Sequence, residues 1–313
     1  MTDSEILARK LQALDRLYDE TASILNKYDA KPTDASQASI EIQTPLNVPS
    51  GLFLSSGINL SNAFLEANIL IESAADHLTA FRRTLIEPVL PISLWTCLRA
   101  ILEASAIACW LIDPKINVSE RIARSFARRY ENLTQQKAIA NSVGDTAGVG
   151  EAKNRLGEIE GESLTFGYPP IRDKNKKRIG IGRPMPTFTE LVKDVLDQEI
   201  IYRISSAIIH GNQSVIMQLS FQKNNEGPVQ QFKDVTLHMY EKNLSLSMLR
   251  GVCAVVALGF AKANWFRCVM YGWDQSEMGM VLGNAADVLE IPASGSFGLR
   301  PTKKVLYNAF SKI

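Results

Sequence analysis

Two long segments of the chain are apolar on almost every helical side, and they constrain the fold more than any other feature. The first runs from about Ile92 to Ile112 and ends at Asp113-Pro114, and the second runs from about Thr236 to Trp273. A helix without a polar face has to be surrounded by other elements. We therefore predict that both helices are central in an all-α, multi-helix bundle.

The second segment also has to be tested as a membrane span. Its most apolar part, Leu249 to Val269, carries Arg250, Lys262 and Arg267. The uncharged run from Gly251 to Ala261 is much shorter than the roughly 20 residues that cross a bilayer. We predict a buried helix and no membrane partner.

Amphipathic or shorter helices account for most of the remaining chain. Apolar periodicity predicts them at about Ile6–Leu25, from Asn59 or Ser61 to Ile86, and at about Ser119–Asn141, Glu151–Glu160, Thr187–Val195, Gln198–Ile209 and Glu277–Leu289. The alternation Val215-Met217-Leu219-Phe221 with the turn Asn224–Gly227 fits a small β-hairpin within residues 214–235, and a lid-like loop is the alternative.

The sequence divides into three parts. Residues 1–57 hold the N-terminal amphipathic helix and a linker, residues 58–290 the helical bundle, and residues 291–313 a C-terminal tail. Inside the bundle, residues from about 144 to 186 contain Pro169-Pro170, a basic run and several glycines. This composition predicts an inserted loop region and not a second domain.

Charge and cysteine content exclude several classes of function. Lys and Arg number 34 against 33 Asp and Glu, a net charge of +1, so a nucleic acid would have to bind a local basic patch. The four cysteines lie in apolar helical segments without a CxxC pair, which predicts free thiols in a reducing cytoplasm. The N-terminus has no signal-peptide pattern. No set of residues with ligand spacing predicts a metal or a cofactor.

The strongest candidate site is the predicted helix that ends near His210. Arg203 and His210 are seven residues apart, which at about 100° per residue places them nearly in register on one face. Ser206 lies between them at neighbour spacing. A guanidinium, a hydroxyl and an imidazole on one stripe could hold a phosphate and transfer a proton. Alternatively, the Ser206 hydroxyl bonds back to the backbone carbonyl of Tyr202.

Two interpretations of this stripe remain open. In the functional one, Arg203 holds a phosphate and His210 is the acid and base of metal-independent RNA cleavage, with Tyr202 and Asn212 as further substrate contacts. In the structural one, His210 stabilises the free carbonyls of the last helical turn, and Gly211 supplies the left-handed cap.

Arg99 and Glu103 form a second polar pair, four residues apart on the first apolar helix. Isolated charges in a dry core are very costly, so both side chains need partners. An ion pair between them that fixes the helix register is one interpretation. The other is that Glu103 meets Arg203 or His210 across the bundle and contributes to catalysis, with Arg99 binding the substrate.

Two basic clusters are candidates for phosphate binding. Arg121, Arg124, Arg128 and Arg129 follow one predicted helix, and Arg124 and Arg128 are candidate substrate-binding residues. The alternative is a solvated helix face paired with Glu120 and Glu131. The run from Lys174 to Arg178 with Gly180 and Gly182 could clamp a phosphate backbone or form a charged surface loop.

The helical bundle with Arg203-x6-His210 in a late helix resembles the HEPN superfamily, whose active members carry an Arg-x4–6-His motif. The segments Leu98–Glu103 and Tyr202–Gly211 also look like those of uncharacterised HEPN-like bacterial proteins. The resemblance covers mainly residues 60–270. Active members often have a polar residue directly after the arginine, where this chain has Ile204.

The resemblance implies a metal-independent endoribonuclease of a toxin–antitoxin, CRISPR or phage-defence setting. It implies that Arg203 binds the scissile phosphate, that His210 is the acid and base, and that two copies form one composite site. RNA, a homodimeric partner and an antitoxin or other defence protein are the expected partners. The alternative from another class is a non-catalytic binding or scaffold module for a protein, nucleotide or RNA. A small-molecule enzyme built around Glu103 and His210 is a third interpretation.

Overall fold

A computed structural model describes residues 3–47, 53–55, 57–223, 230–232, 235–237, 240–242 and 245–289. Within these ranges the helices are α1 Asp3–Lys27, α2 Gln37–Gln43, α3 Gly57–Thr84, α4 Ser93–Leu111, α5 Val118–Ser142, α6 Thr146–Thr165, α7 Phe188–Leu191, α8 Glu199–Ile209, α9 Gln213–Ser220, α10 Leu246–Tyr271 and α11 Gln275–Leu289. The strands are β1 Pro45–Asn47, β2 Phe53–Ser55, β3 Pro170–Arg172, β4 Arg178–Ile181, β5 Arg183–Pro184, β6 Phe221–Lys223, β7 Gln230–Phe232, β8 Val235–Leu237 and β9 Tyr240–Lys242.

The two apolar helices, α4 and α10, lie at the centre of the fold, and the predicted all-α multi-helix bundle is confirmed. They pack against each other and against α3, and α8 covers α4 from a further side. The crossing of α4 and α10 is close at Gly259, where an added Cβ would lie 3.2 Å from a methyl carbon of Leu102. Both helices are long and apolar enough to cross a membrane by composition, but 72% of the relevant window in each is buried inside the protein.

Short elements around the bundle differ most from the sequence-based expectations. The predicted linker after Ala30 contains α2, whose N-cap Ser36 accepts a hydrogen bond from the Ser39 amide. Residues 213–220 form α9 and not the first strand of a hairpin. The strands lie later, with β6 paired to β9 and β7 to β8, and the predicted turn at 224–227 lies outside the described residues. The helix predicted from Thr236 begins only at Leu246.

The predicted insertion is more ordered than its composition indicates. Its helix α6 begins at Thr146, where the Asp145 side chain accepts a hydrogen bond from the Gly148 amide, and it packs against α5 as an antiparallel helical hairpin. The following residues form an antiparallel three-stranded sheet in the order β3-β4-β5. The chain between α5 and α6 is a tight turn, with Gly144 at φ of 74°.

The chain before α8 fixes where that helix begins. Thr187 and Glu190 form a capping box at the start of α7, and α7 continues into the π-helix Val192–Leu196. Asp197 then adopts a left-handed conformation with φ of 57°, which separates the π-helix from α8. The Lys262 ammonium donates to the Val195 carbonyl at 2.5 Å, so α10 holds this junction in place.

Candidate functional site

Arg203 and His210 lie on the outward face of α8. The Arg203 side chain is 65% exposed and forms an ion pair with Glu199, one turn earlier, at 2.9 Å. His210 is also exposed, and its side chain forms no hydrogen bond or ion pair with any residue that the structure describes. The side chains that could act on a phosphate are therefore accessible and are not part of the core. Glu199 was not predicted as a partner, although its four-residue spacing from Arg203 is the signal that could have identified it.

The end of α8 is capped by its own backbone. The Gly211 amide donates to the Ile208 carbonyl at 3.0 Å, and the Asn212 amide donates to the Ala207 carbonyl at 2.9 Å. With Gly211 at φ of 75°, this is a Schellman motif. The predicted left-handed cap at Gly211 is present, and the imidazole of His210 is not needed to satisfy these carbonyls.

Asn212 acts as a structural residue in this arrangement. Its side-chain oxygen accepts a hydrogen bond from the Val215 amide at 3.2 Å and caps the start of α9. Substrate binding through this oxygen would compete with the cap, since an N-cap side chain satisfies an otherwise free amide.

Behind the exposed stripe, α4 and α8 share a polar cluster of four side chains. The Tyr202 hydroxyl donates to Glu103 Oε1 at 2.7 Å, and Arg99 Nε donates to the same oxygen at 2.7 Å. The Arg99 guanidinium also lies 3.4 Å from the hydroxyls of both Tyr202 and Ser206. Ser206 therefore contacts Arg99, and it is Ser205 whose hydroxyl bonds back to the Tyr202 carbonyl.

The partners of Glu103 thus differ from Arg203 and His210, the catalytic residues that the sequence suggested for it. The described structure pairs it with Arg99 and Tyr202, and with neither Arg203 nor His210. The expected Arg99–Glu103 ion pair is present, with both side chains about one-fifth to one-quarter exposed. The physical reason is that Tyr202 faces α4, whereas Arg203, one residue and 100° further on, faces solvent.

Protonation within this cluster follows from its geometry. Burial, the hydrogen bond to Glu103 and the charge of Glu103 together raise the pKa of Tyr202 to about 12. Burial by itself lowers the pKa of Arg99, but the contact with Glu103 outweighs it and raises that pKa. Tyr202 therefore remains a donor and Arg99 remains a cation at neutral pH, and the charge of Arg99 is paired with that of Glu103.

The four arginines of α5 contact other parts of the protein and do not form the exposed phosphate-binding stripe that the sequence suggested. Arg121 is fully buried and donates to Glu41 of α2 at 2.8 Å and to the Leu111 carbonyl at 2.9 Å. It therefore does not lie on a solvated face. The other three are partly buried against carboxylates, with pairs Arg124–Glu120, Arg128–Glu66 and Arg129–Glu162.

Phosphate binding by Arg124 or Arg128 would have to displace these carboxylates. Arg124 also donates to the Trp110 carbonyl at 2.6 Å and stacks over the Trp110 ring, and burial lowers its pKa. Arg128 is 14% exposed in its pair with Glu66. Both side chains hold helices together, and they are weaker candidates than the α8 stripe.

The stripe lines neither of two pockets in the described part of the structure. One pocket of about 450 Å³ lies between α1 and α11, and another of about 260 Å³ lies between α1 and α3. Among the described residues there is no cluster of three or more His, Cys, Asp or Glu side chains that could hold a metal ion.

Comparison with protein-family models, with curated proteins and with solved structures found no match to this chain. The class of protein that the structure defines is therefore an all-α bundle in which α8 carries exposed Arg203 and His210 with the half-buried Ser206 between them.

Proposed function

We propose that the chain is a HEPN-like, metal-independent endoribonuclease whose site is the Arg203–Ser206–His210 stripe. The observation that carries the proposal is the exposure of Arg203 and His210 on one face of α8, beside the cationic Arg99. A phosphodiester is an anion, so an exposed guanidinium and an imidazole on one helix face suit it. The absence of a structural partner for the imidazole, within the described residues, supports a chemical role for it.

The proposed reaction is attack by the neighbouring 2′-hydroxyl. Neutral His210 accepts the proton of this hydroxyl, the 2′ oxygen forms a bond to phosphorus, and the bond from phosphorus to the 5′ oxygen breaks. The leaving 5′ oxygen takes up a proton from a protonated imidazole or from water. The products are a 2′,3′-cyclic phosphate and a 5′-hydroxyl, so no atom from a metal or cofactor enters the balance.

Arg203 has to exchange partners for this role. Its ion pair with Glu199 lies on the surface, where such pairs contribute little to stability. A phosphate can therefore replace the carboxylate at small cost. Arg99 is held in position by its ion pair with Glu103 and its contact with Tyr202, and its guanidinium lies 3.4 Å from the Ser206 hydroxyl.

A second copy of the chain is the proposed partner at this surface. In an antiparallel packing of two α8 helices about a two-fold axis near Ser206, Arg203 of each copy lies beside His210 of the other. Ile200 is 59% exposed on the same side of α8 and would be covered by this packing. An open stripe would then become an enclosed site with two imidazoles, one for each proton transfer.

The proposal also includes a cellular setting. We infer a cytoplasmic protein of a toxin–antitoxin or phage-defence system, with an antitoxin or another defence protein as a further partner. The four cysteines are free, and three of them are buried, as an intracellular protein requires.

The test is RNA cleavage by the purified full-length protein in EDTA. The proposal expects products that end in a 2′,3′-cyclic phosphate, and it expects both His210→Ala and Arg203→Ala to lower the rate by about 100-fold or more, as loss of a general acid–base group or a charge-stabilising donor does. Matched controls are His77→Ala on α3 and Arg155→Ala on α6.

Several results would count against the proposal. Cleavage that disappears with EDTA would be metal-dependent and would refute the proposed mechanism. Equal rates for His210→Ala and His77→Ala would remove His210 from the chemistry and favour the non-catalytic binding module. A chain that sediments as a monomer at concentrations where it cleaves RNA would remove the second copy from the site.

A further inference from the structure

A second basic surface, separate from α8, lies at the tip of the hairpin formed by β3 and β4. Four cations lie within six residues there, Arg172, Lys174, Lys176 and Lys177, and all four are exposed. With Asp173 as the one carboxylate in this run, the tip has a net charge of +3. The whole chain has a net charge of only +1, so the charge is concentrated at this position.

These four cations differ from Arg178 and Arg183 of the same insertion, because they have no carboxylate partner among the described residues. Arg178 and Arg183, at the base of the same sheet, are paired with Glu160 and Glu120. None of the four cations at the tip forms an ion pair with a residue that the structure describes. Arg172 instead donates to the Lys176 carbonyl at 3.1 Å, which leaves its charge uncompensated.

The turn at the tip has a defined geometry. Asp173 Oδ1 accepts hydrogen bonds from the amides of Asn175 at 2.8 Å and Lys177 at 2.9 Å, and Lys176 adopts a left-handed φ of 60°. The carboxylate is therefore engaged with the backbone of its own turn. Its hydrogen bonds order the backbone of the turn, and it forms no ion pair with any lysine of this run that the structure describes.

The base of the hairpin is held firmly against the bundle. The Tyr130 hydroxyl donates to the Arg178 carbonyl at 3.0 Å, and Ile181 is fully buried. Gly180 is required here, because an added Cβ would lie 2.6 Å from the Arg183 carbonyl oxygen. The hairpin thus presents its cations on a rigid support, which lowers the conformational entropy that binding would cost.

The base of the hairpin is also connected to the helix that carries Arg99 and Glu103. Arg183 of β5 stacks over the ring of Trp110 on α4, with its guanidinium carbon 5.5 Å from the ring centre. Trp110 is seven residues beyond Glu103, roughly 10 Å along the helix axis. The base of the hairpin therefore lies against the same helix that α8 packs on, about two turns from Glu103.

We propose that this hairpin, residues 170–181, binds the phosphate backbone of single-stranded RNA and holds the substrate of the α8 site. The inference rests on the proposed function for the choice of RNA, and on the unpaired cations for the choice of surface. A membrane surface is the less favoured anion, because the turn from Asp173 to Lys177 has no apolar side chain to insert between lipids.

The experiment measures binding without cleavage. A short single-stranded RNA with 2′-O-methyl groups keeps every phosphate but lacks the nucleophile, so its binding to the full-length protein is independent of catalysis. The test variant is Lys174→Gln/Lys176→Gln/Lys177→Gln. The matched control, Lys31→Gln/Lys115→Gln/Lys153→Gln, removes the same charge from exposed positions elsewhere.

The hairpin variant should bind about 10- to 100-fold more weakly than the control at low salt, and the slope of log affinity against log salt should fall by about 2, since each lost phosphate contact contributes about 0.7. Equal binding by the two variants would overturn the proposal. So would binding of the wild-type chain to anionic phosphatidylserine vesicles with none to the RNA. Normal binding with no cleavage of unmodified RNA would instead refute only the proposed function.

Discussion

The arginines of α5 and the arginine of α8 show opposite uses of the same side chain. Arg121 has no exposed surface and its guanidinium bonds to Glu41 and to backbone carbonyls, whereas Arg203 is 65% exposed and held only by its neighbour one turn away. A stripe of basic residues in the sequence therefore does not by itself identify a binding surface. Arg121 differs from Arg203 because another element, α2, supplies the carboxylate that its guanidinium binds, whereas Glu199 lies on the same helix as Arg203.

The largest expected effect comes from Arg121. Arg121→Ala should lower the free energy of unfolding by about 3–5 kcal/mol, because Glu41 would lose its cation in a buried position. Arg121→Lys should lie between this variant and the wild type, since it keeps the charge but not the planar fork. Urea unfolding measures both.

Arg155→Ala, on the exposed side of α6, is the matched control and should change that free energy by less than about 0.5 kcal/mol. If Arg121→Ala and Arg155→Ala had the same free energy of unfolding, the contrast between buried, paired arginines and exposed arginines would be wrong.

An intermediate effect is expected at the polar cluster between α4 and α8. Tyr202→Phe removes the hydroxyl that donates to Glu103, and it should lower the free energy of unfolding by about 1 kcal/mol, the net contribution of such a bond in a partly exposed position. Tyr18→Phe on α1 is the control, since the structure gives its hydroxyl no partner among the described residues. A larger loss from Tyr18→Phe would contradict the role of this cluster.

Alkaline pH tests the same cluster in a second way. The pKa of Tyr202 is raised from 10 to about 12, so its contribution to stability is complete below pH 10 and is lost as the pH rises towards 12. Buried thiols such as Cys109 also have a pKa raised to about 12, so the wild-type curve contains their contribution as well. The difference between wild type and Tyr202→Phe should therefore shrink across this range, and a constant difference would mean that Tyr202 ionises as in water.

The sequence predicted the position of the central helices correctly, because a helix that is apolar on nearly every side has to be surrounded by other elements. A segment such as residues 93–111, apolar on every side, can be satisfied only at the centre of a bundle. That Arg203 and His210 share one helix face also followed from spacing alone, because helical geometry is local. The spacing did not show whether this face points to solvent or into the bundle, since that depends on how α8 packs on α4.

The partners of charged side chains could not be predicted in the same way. Arg128 pairs with Glu66, 62 residues earlier, and Arg121 pairs with Glu41, 80 residues earlier. These pairs exist only because α2 and α3 pack beside α5, and α2 itself is a seven-residue helix inside a stretch that reads as a linker. The bond from Tyr202 to Glu103 likewise depends on how α8 lies on α4.

Substitution of His210 should have the smallest effect on stability and the largest effect on RNA cleavage. The most direct test is to measure the unfolding free energy and the RNA cleavage rate of His210→Ala on one preparation. Since Gly211 and the backbone cap α8, we expect stability within about 0.5 kcal/mol of the wild type together with loss of cleavage in EDTA. A variant that loses stability but cleaves RNA at the wild-type rate would contradict the account and assign His210 to the structure of the helix end.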